Sequence, residues 1–322
     1  MMTNLDARDR KLLLAIDFHA RDSYAHLAKA VGSSKQAVDY KLKRLQKLGV
    51  IKGYYALVDT TLLGYFYCRL LVTLQGASDE VINEITKELL KEKRVLWLLT
   101  TQGQYDLLID LWTLGLDEFR VFAEDFMSRF GKYVKRKSEN IITNTIHFQN
   151  RYLTRQSSTE EFRLKQSDKR VQIDDIDRKL LSELCKDARI HVVKLAKVVK
   201  LSSVAVARRI RNLEREGVIA GYRPNIDHNK LGFGYYKILL NLSIPSRENL
   251  HAVKEYIKHQ PLSLYIVEGV GIPGDLDFEI VAQSPFQIDE LIRKLRSTFP
   301  GLISDYAALL YTSVLKVSYL PF

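Results

Sequence analysis

Helical and strand-like spacings of apolar residues alternate along this chain in a fixed order, and the order occurs twice. Leu5, Leu12, Leu13 and Ile16 recur at intervals that put them on one helix face, with Asp6 placed to cap its start. Ser23 is placed to cap a second helix carrying Leu27, Ala28 and Val31, which Gly32 ends. Ser34 opens a third, with Val38, Leu42, Leu45 and Leu48 as its inner stripe and Gly49 as its stop. The run Val50-Ile51-Lys52-Gly53-Tyr54 then predicts a short strand and turn, a compact wing. Beyond it the pattern becomes that of a βαββαβ unit. Strands are predicted at Tyr67–Leu74, Val95–Thr101, Tyr105–Trp112 and near 140–149, with amphipathic helices over 79–92 and near 117–130. Such a succession predicts one antiparallel sheet with its helices on one side.

The same series restarts at residue 173. Leu180, Leu181 and Leu184 mark its first helix, Leu195, Ala196 and Val199 its second, and Val206, Ile210 and Leu213 the inner face of a third over 202–216. Val218 to Tyr222 repeats the wing. Strands follow at Tyr235–Leu242, Leu264–Gly269, Leu276–Gln283 and near 307–317, with helices over 247–259 and near 286–298. Residues 5–74 align on 173–242 without a gap, and more than a third of the positions are identical. A repeat this long is a duplicated two-part protein and not a solenoid. The fold class expected is α+β, two winged helix-turn-helix domains (1–55 and 173–224) alternating with two ferredoxin-like βαββαβ domains (56–153 and 225–322). The polar stretch 154–172 reads as a linker. One chain can then build internally what a homodimer builds from two, an internal pseudo-dimer able to assemble further into homo-oligomers.

Charge changes the picture once it is located. The net charge of +11 is concentrated in the helix-turn-helix units: residues 1–55 hold eleven basic against five acidic residues, and 170–224 thirteen against seven. Localised positive charge beside a helix-turn-helix is the footprint of a nucleic-acid binder, here of double-stranded DNA. On the third helix of the first unit, Lys35, Gln36, Tyr40, Lys43 and Arg44 lie off the inner stripe, as do Asp39 and, in the second unit, Ser203, Val204, Ala207, Arg208 and Arg211. Gln36 and Tyr40 suit base edges, while Lys35, Lys43 and Arg44 suit phosphate or base; Arg208 and Arg211 take those parts in the second unit, beside Ser203. A solvated charged face is the plain alternative for either helix alone. The two surfaces differ, so the preferred half-sites should differ too, unless one unit only holds backbone.

Several phrases, each in order and most of them twice, carry a family resemblance. They are Leu5-Asp6-x-x-Asp9-Arg10-Lys11-Leu12-Leu13 and Arg44-Leu45-Gln46-Lys47-Leu48-Gly49-Val50-Ile51-Lys52-Gly53, then Asp59-x-x-x-Leu63-Gly64 and Thr100-Thr101-Gln102-Gly103-Gln104-Tyr105-Asp106. Their second-half counterparts run from Ile173-Asp174-x-x-Asp177 to Gly274-Asp275-Leu276-Asp277. The chain thus resembles the Lrp/AsnC, or feast/famine, transcription regulators. The resemblance implies sensor domains that pair sheet to sheet, and an amino-acid-like effector near a Gly-x-x-Asp loop. Carried onto this chain, the effector residues are Thr101, Gly103 and Asp106 in the first half and Gly274 and Asp277 in the second. Gly271-Ile272-Pro273 reads as an insertion of about three residues, so the first loop is expected to bind more tightly.

Other features exclude more than they add. No run of eighteen apolar residues and no apolar leader occurs, so a cytoplasmic protein without membrane attachment is expected. Cys68 and Cys185 do not correspond between halves and read as buried free thiols. Trp97, Tyr105 and Trp112 read as core or interface residues. The seven histidines show no metal spacing, and no nucleophile elbow or phosphate loop occurs, so no catalytic residue, metal or cofactor is expected. Two alternatives stand beside a specific regulator. One is a DNA-architectural protein with little sequence preference. The other is an Lrp-like sirohaem decarboxylase acting through His and Arg near the sensor sheet, for which Arg69 and His147 are the residues in place.

Overall fold

A computed structural model describes residues 3–154 and 160–322; part of the expected linker, 155–159, lies outside the described residues. Helices α1 (Ala7–Ala15), α2 (Tyr24–Val31) and α3 (Lys35–Lys47) lead into strand β1 (Ile51–Val58). Asp6 and Asp9 form a reciprocal capping box on α1, and Ser23 and Ser34 accept the His26 and Ala37 N–H groups at 3.2 and 3.1 Å. Next come β2 (Phe66–Leu74), α4 (Asp79–Lys91), β3 (Val95–Gln102), β4 (Leu107–Thr113), α5 (Leu116–Phe130) and β5 (Val134–Phe148). A short strand, β6 (Glu161–Lys165), precedes the second half. That half consists of α6 (Asp175–Lys186), α7 (Val192–Val199), α8 (Ser203–Arg215), β7 (Ile219–Ile226) and β8 (Gly234–Leu242). It continues through α9 (Arg247–Lys258), β9 (Ser263–Val270), β10 (Leu276–Ala282), α10 (Pro285–Thr298) and β11 (Ile303–Val317).

The two sensor sheets join edge to edge as well as face to face. Each is a four-stranded antiparallel sheet, β3-β4-β2-β5 and β11-β8-β10-β9, and β3 pairs with β11 while β5 pairs with β9. The result is a closed eight-stranded barrel with α4, α5, α9 and α10 outside. Alternation sorts the side chains. Cys68, Leu70 and Val72 of β2 face the helices with Phe119, Phe122 and Phe126, and Phe278 and Ile280 of β10 do so with Leu291 and Ile292. The opposite faces point into the barrel. Leu71, Leu99, Tyr105, Leu108, Leu239 and Leu309 fill one end. Eight strands leave an interior that side chains can fill or that can hold one small ligand.

Two expectations are corrected. Each wing, expected as a short strand and turn, is an eight-residue strand: β1 and β7 pair antiparallel with one another, Tyr55 opposite Arg223 and Ala56 opposite Tyr222. The linker is not featureless either, because β6 adds to β5 over Asn144–Phe148. Its alternation, Glu161-Phe162-Arg163-Leu164-Lys165, was the available signal, and Phe162 meets Phe18 edge-on at 4.5 Å.

Candidate nucleic-acid interface and barrel cavity

The two heads are fixed to each other by reciprocal contacts. Arg189 Nη1 donates to Ala20 O at 2.5 Å, and Arg21 Nη1 donates to Ala188 O and, at 3.1 Å, to Ile190 O. The N–H groups of Ala20 and Ala188 donate to Tyr222 O and Tyr54 O, both at 2.9 Å. The helical cores of both heads form one apolar cluster around this ribbon. A further tie joins both heads to the end of β5 and is not repeated at the equivalent positions. Asp17, fully buried, receives Arg223 at 2.8 and 3.0 Å and the Asn150 N–H at 2.7 Å, while Arg223 also donates to Phe148 O at the end of β5. Cys185 and Tyr55 occupy the corresponding positions of the other half, and Tyr55 instead stacks on Tyr319 at 4.0 Å.

On α3, Lys35, Gln36, Tyr40 and Lys43 are exposed, Lys43 bonded to Asp39 at 2.8 Å. Arg44 is not free: it turns back onto the buried Asp9 of α1, which Lys41 also holds at 2.7 Å. Besides the contact with DNA expected of it, Arg44 thus has a partner inside the head. On α8, Arg208 and Arg211 are exposed, Ser203 is half-buried, and Val204 projects into solvent at 78% exposure. Arg209 takes the place of Lys41, bonding Asp174 and Asp177 at 2.9 Å. Neither recognition face is covered by another described element, and each is opened by a serine cap.

The sensor loops differ from the sequence reading. Thr101 is buried and its hydroxyl donates to Tyr105 O at 2.7 Å; the half-buried Asp106 accepts the Leu74 N–H at 2.7 Å. Gly103, at φ 138°, passes so close to β11 that a Cβ would meet Ala308 O at 2.6 Å. The partner of Asp106 in the second half is Asp275, which accepts the Leu242 N–H at 2.7 Å in the same way. The loop there, 271–275 against 103–106, is longer by one residue and not by three. Asp277 is consequently no loop residue. It lies on β10 inside the barrel, 1% exposed, bonded to Arg69 at 3.0 Å and Lys237 at 2.6 Å. Gly274 does belong to the loop, at φ 113°, beside a cavity of about 260 Å³.

Across the middle of the barrel runs a buried charge layer that the sequence did not announce. Arg69 bonds Asp110 at 2.7 Å, and Lys237 bonds Glu279 at 3.0 Å as well as Asp277. Tyr67 donates to Asp110, while Tyr235 and Tyr311 donate to Glu279 at 2.5 and 2.8 Å. Arg69-Asp110-Tyr67 and Lys237-Glu279-Tyr235 are the same trio from the two halves. Burial opposes charge on Glu279, yet Lys237 and Arg69 hold its carboxyl below the usual range; burial prevails at Asp277 and pushes it up.

Between this layer and the β1/β7 ribbon lies a cavity of about 440 Å³, lined by residues of all eight barrel strands and of both ribbon strands. Arg69, His147, Trp97 and Trp112 all border it. His147 is pushed well below its ordinary range by burial and by Arg223, and neither of its ring nitrogens has a hydrogen-bond partner among the described residues.

Family comparisons agree with this geometry. Residues 5–52 match the winged helix-turn-helix DNA-binding family and residues 173–214 the AsnC-type helix-turn-helix domain. The leucine-responsive regulatory protein of Rhizobium meliloti is 37% identical over 134 residues, 40% of this chain and 83% of the relative. The chain belongs to the Lrp/AsnC family of transcription regulators. Regulatory protein AsnC of Haemophilus influenzae is 29% identical over 36% of this chain and 77% of its own.

An Lrp/AsnC relative thus spans 36–40% of this chain while 77–83% of the relative is matched, as fits a doubled chain. The siroheme decarboxylase NirDL aligns over 96% of this chain and 92% of its own, with a TM-score of 0.64 at 14% identity. That likeness extends the shared fold to both heads and both sensor units. What sequence reasoning missed in this Lrp/AsnC chain is the interior: Arg69, placed only as a residue of the decarboxylase alternative, and Trp97 and Trp112, read as core or interface residues, converge from strands whose closure no local pattern reveals.

Proposed function

We propose that this chain is a DNA-binding regulator that reads two unlike half-sites, with α3 on one and α8 on the other. The observation that supports it is the pair of uncovered, basic recognition faces held in one fixed relation by the β1/β7 ribbon. Lys35 and Lys43, and Arg208 and Arg211, supply phosphate or base contacts; Gln36 and Tyr40 face base edges, Ser203 lies at the start of α8, and Val204 suits a thymine methyl. Arg44 supports the helix from within the head. Lys35→Ala with Lys43→Ala, or Arg208→Ala with Arg211→Ala, should weaken binding and lower the salt slope by roughly one unit per lost phosphate contact. Fluorescence anisotropy at several salt concentrations checks this; unchanged affinity and slope in both double variants would refute the assignment.

An amino-acid-like effector at the sensor loops is part of the same reading, with Thr101, Gly103 and Asp106 in the first and Gly274 with Asp275, in place of Asp277, in the second. A second reading, tetrapyrrole decarboxylation, draws on Arg69 and His147 bordering one cavity. Against it stand two intact basic recognition faces, and Arg69 committed to Asp110 and Asp277. Turnover of sirohaem by the purified chain would favour it.

A further inference from the structure

The cavity under the ribbon has a property that packing does not explain. Trp112 Nε1, Trp97 Nε1, Thr60 Oγ1, Gln166 Oε1 and both ring nitrogens of His147 are buried without a hydrogen-bond partner among the described residues, and all five residues line it. Thr60 is 1% exposed, and Trp112 and His147 are 8% exposed. Native structures leave few such groups, and here they converge. Indole N–H groups can only donate, so the unpaired set is rich in donors. The acids on the wall are already engaged: Glu279 by Lys237, Tyr235 and Tyr311, Asp227 by Lys52 at 3.0 Å, and Asp59 by Thr61. Aromatic rings make up much of the remaining wall. The volume falls in the range of small-molecule sites.

We infer that this cavity is a binding site for a planar aromatic carboxylate, its rings between the tryptophan and tyrosine side chains and its carboxylate on His147 and the indole N–H groups. The site is separate from the sensor loops. Because the ribbon strands β1 and β7 form one wall and carry the heads, an occupant touches barrel and heads at once and biases how the heads are held. This regulatory role rests on the DNA-binding reading; the binding itself does not.

Trp97 and Trp112 are the chain's two tryptophans, so intrinsic emission reports occupancy directly. The experiment titrates the full chain, without DNA, with 4-nitrobenzoate and quinoline-2-carboxylate, and with their uncharged amides. Saturable quenching is expected, at least tenfold weaker for the amides and at least tenfold weaker for His147→Phe, with His147→Gln retaining part of the affinity. Thr60→Val supplies a second variant should His147→Phe fail to fold. Quenching that never saturates, or that saturates alike for acids, amides and variants, overturns the site. Repeating the titration with bound DNA tests regulation: a shift in DNA affinity supports it, and unchanged DNA affinity at saturating probe overturns that half alone.

Discussion

Buried ionisable residues set the chemistry of the interior. His228 shares a 2.8 Å hydrogen bond with Tyr152, and burial, reinforced by Arg223, pushes it from 6.5 down to about 4. Between those values the unfolded chain binds a proton that the folded chain does not. Stability is therefore complete above pH 6.5 and falls as pH drops toward 4. At 1.36 kcal/mol per pKa unit, the loss from this one residue reaches at most about 3.4 kcal/mol. Urea titrations across this range should show a shallower acid limb for His228→Gln; an unchanged limb would assign the loss elsewhere. In the charge layer, Arg69→Ala leaves Asp110 and Asp277 without their shared cation and should cost roughly 3–5 kcal/mol, measured by chemical denaturation. None of this was legible beforehand. Arg69 and Asp277 are 208 positions apart, and only barrel closure brings them together.

Secondary elements were far more legible, because their determinants are local. Asp6, Ser23 and Ser34 cap the helices they were expected to cap, and Ser202, read as the first residue of its helix, caps α8 in the same way. The strand after each head was seen but its partner was not, since β1 and β7 pair across 168 residues and no local pattern specifies that. The loop register failed for a similar reason: Gly274-x-x-Asp277 copies the spacing of the first loop, whereas the hydrogen bond to Leu242 shows Asp275 to be the equivalent residue. The heads also differ in an element boundary. Gly32 ends α2 at φ 65°, but Lys200 ends α7 at φ 55°, a left-handed conformation that costs a residue with a side chain roughly 1–2 kcal/mol. Lys200→Gly should raise stability by about 1 kcal/mol by relieving it. A urea midpoint that does not rise would show that the Lys200 side chain makes up the difference.

At the scale of the whole molecule, duplication converts a dimer into a chain. The edges through which separate protomers would close a barrel, β3 with β11 and β5 with β9, are already paired. The folded state consequently needs no second chain, and its urea midpoint should not depend on protein concentration from nanomolar to micromolar; a midpoint that rises with concentration would mean the barrel is completed between chains. Freed from identity, the two heads have diverged at their recognition faces and in their attachment: Asp17 of the first and Arg223 of the second meet at the end of β5, while Cys185 and Tyr55 stand at the counterpart positions. The central claim is that these heads read different half-sites as one unit. Footprinting on DNA selected from a random pool tests it most directly, comparing the unaltered chain with Lys35→Ala/Lys43→Ala and with Arg208→Ala/Arg211→Ala. We predict one asymmetric site, with each double variant releasing protection of a different half. A palindrome on which both variants loosen both halves equally, or coating without any preferred sequence, would contradict the claim.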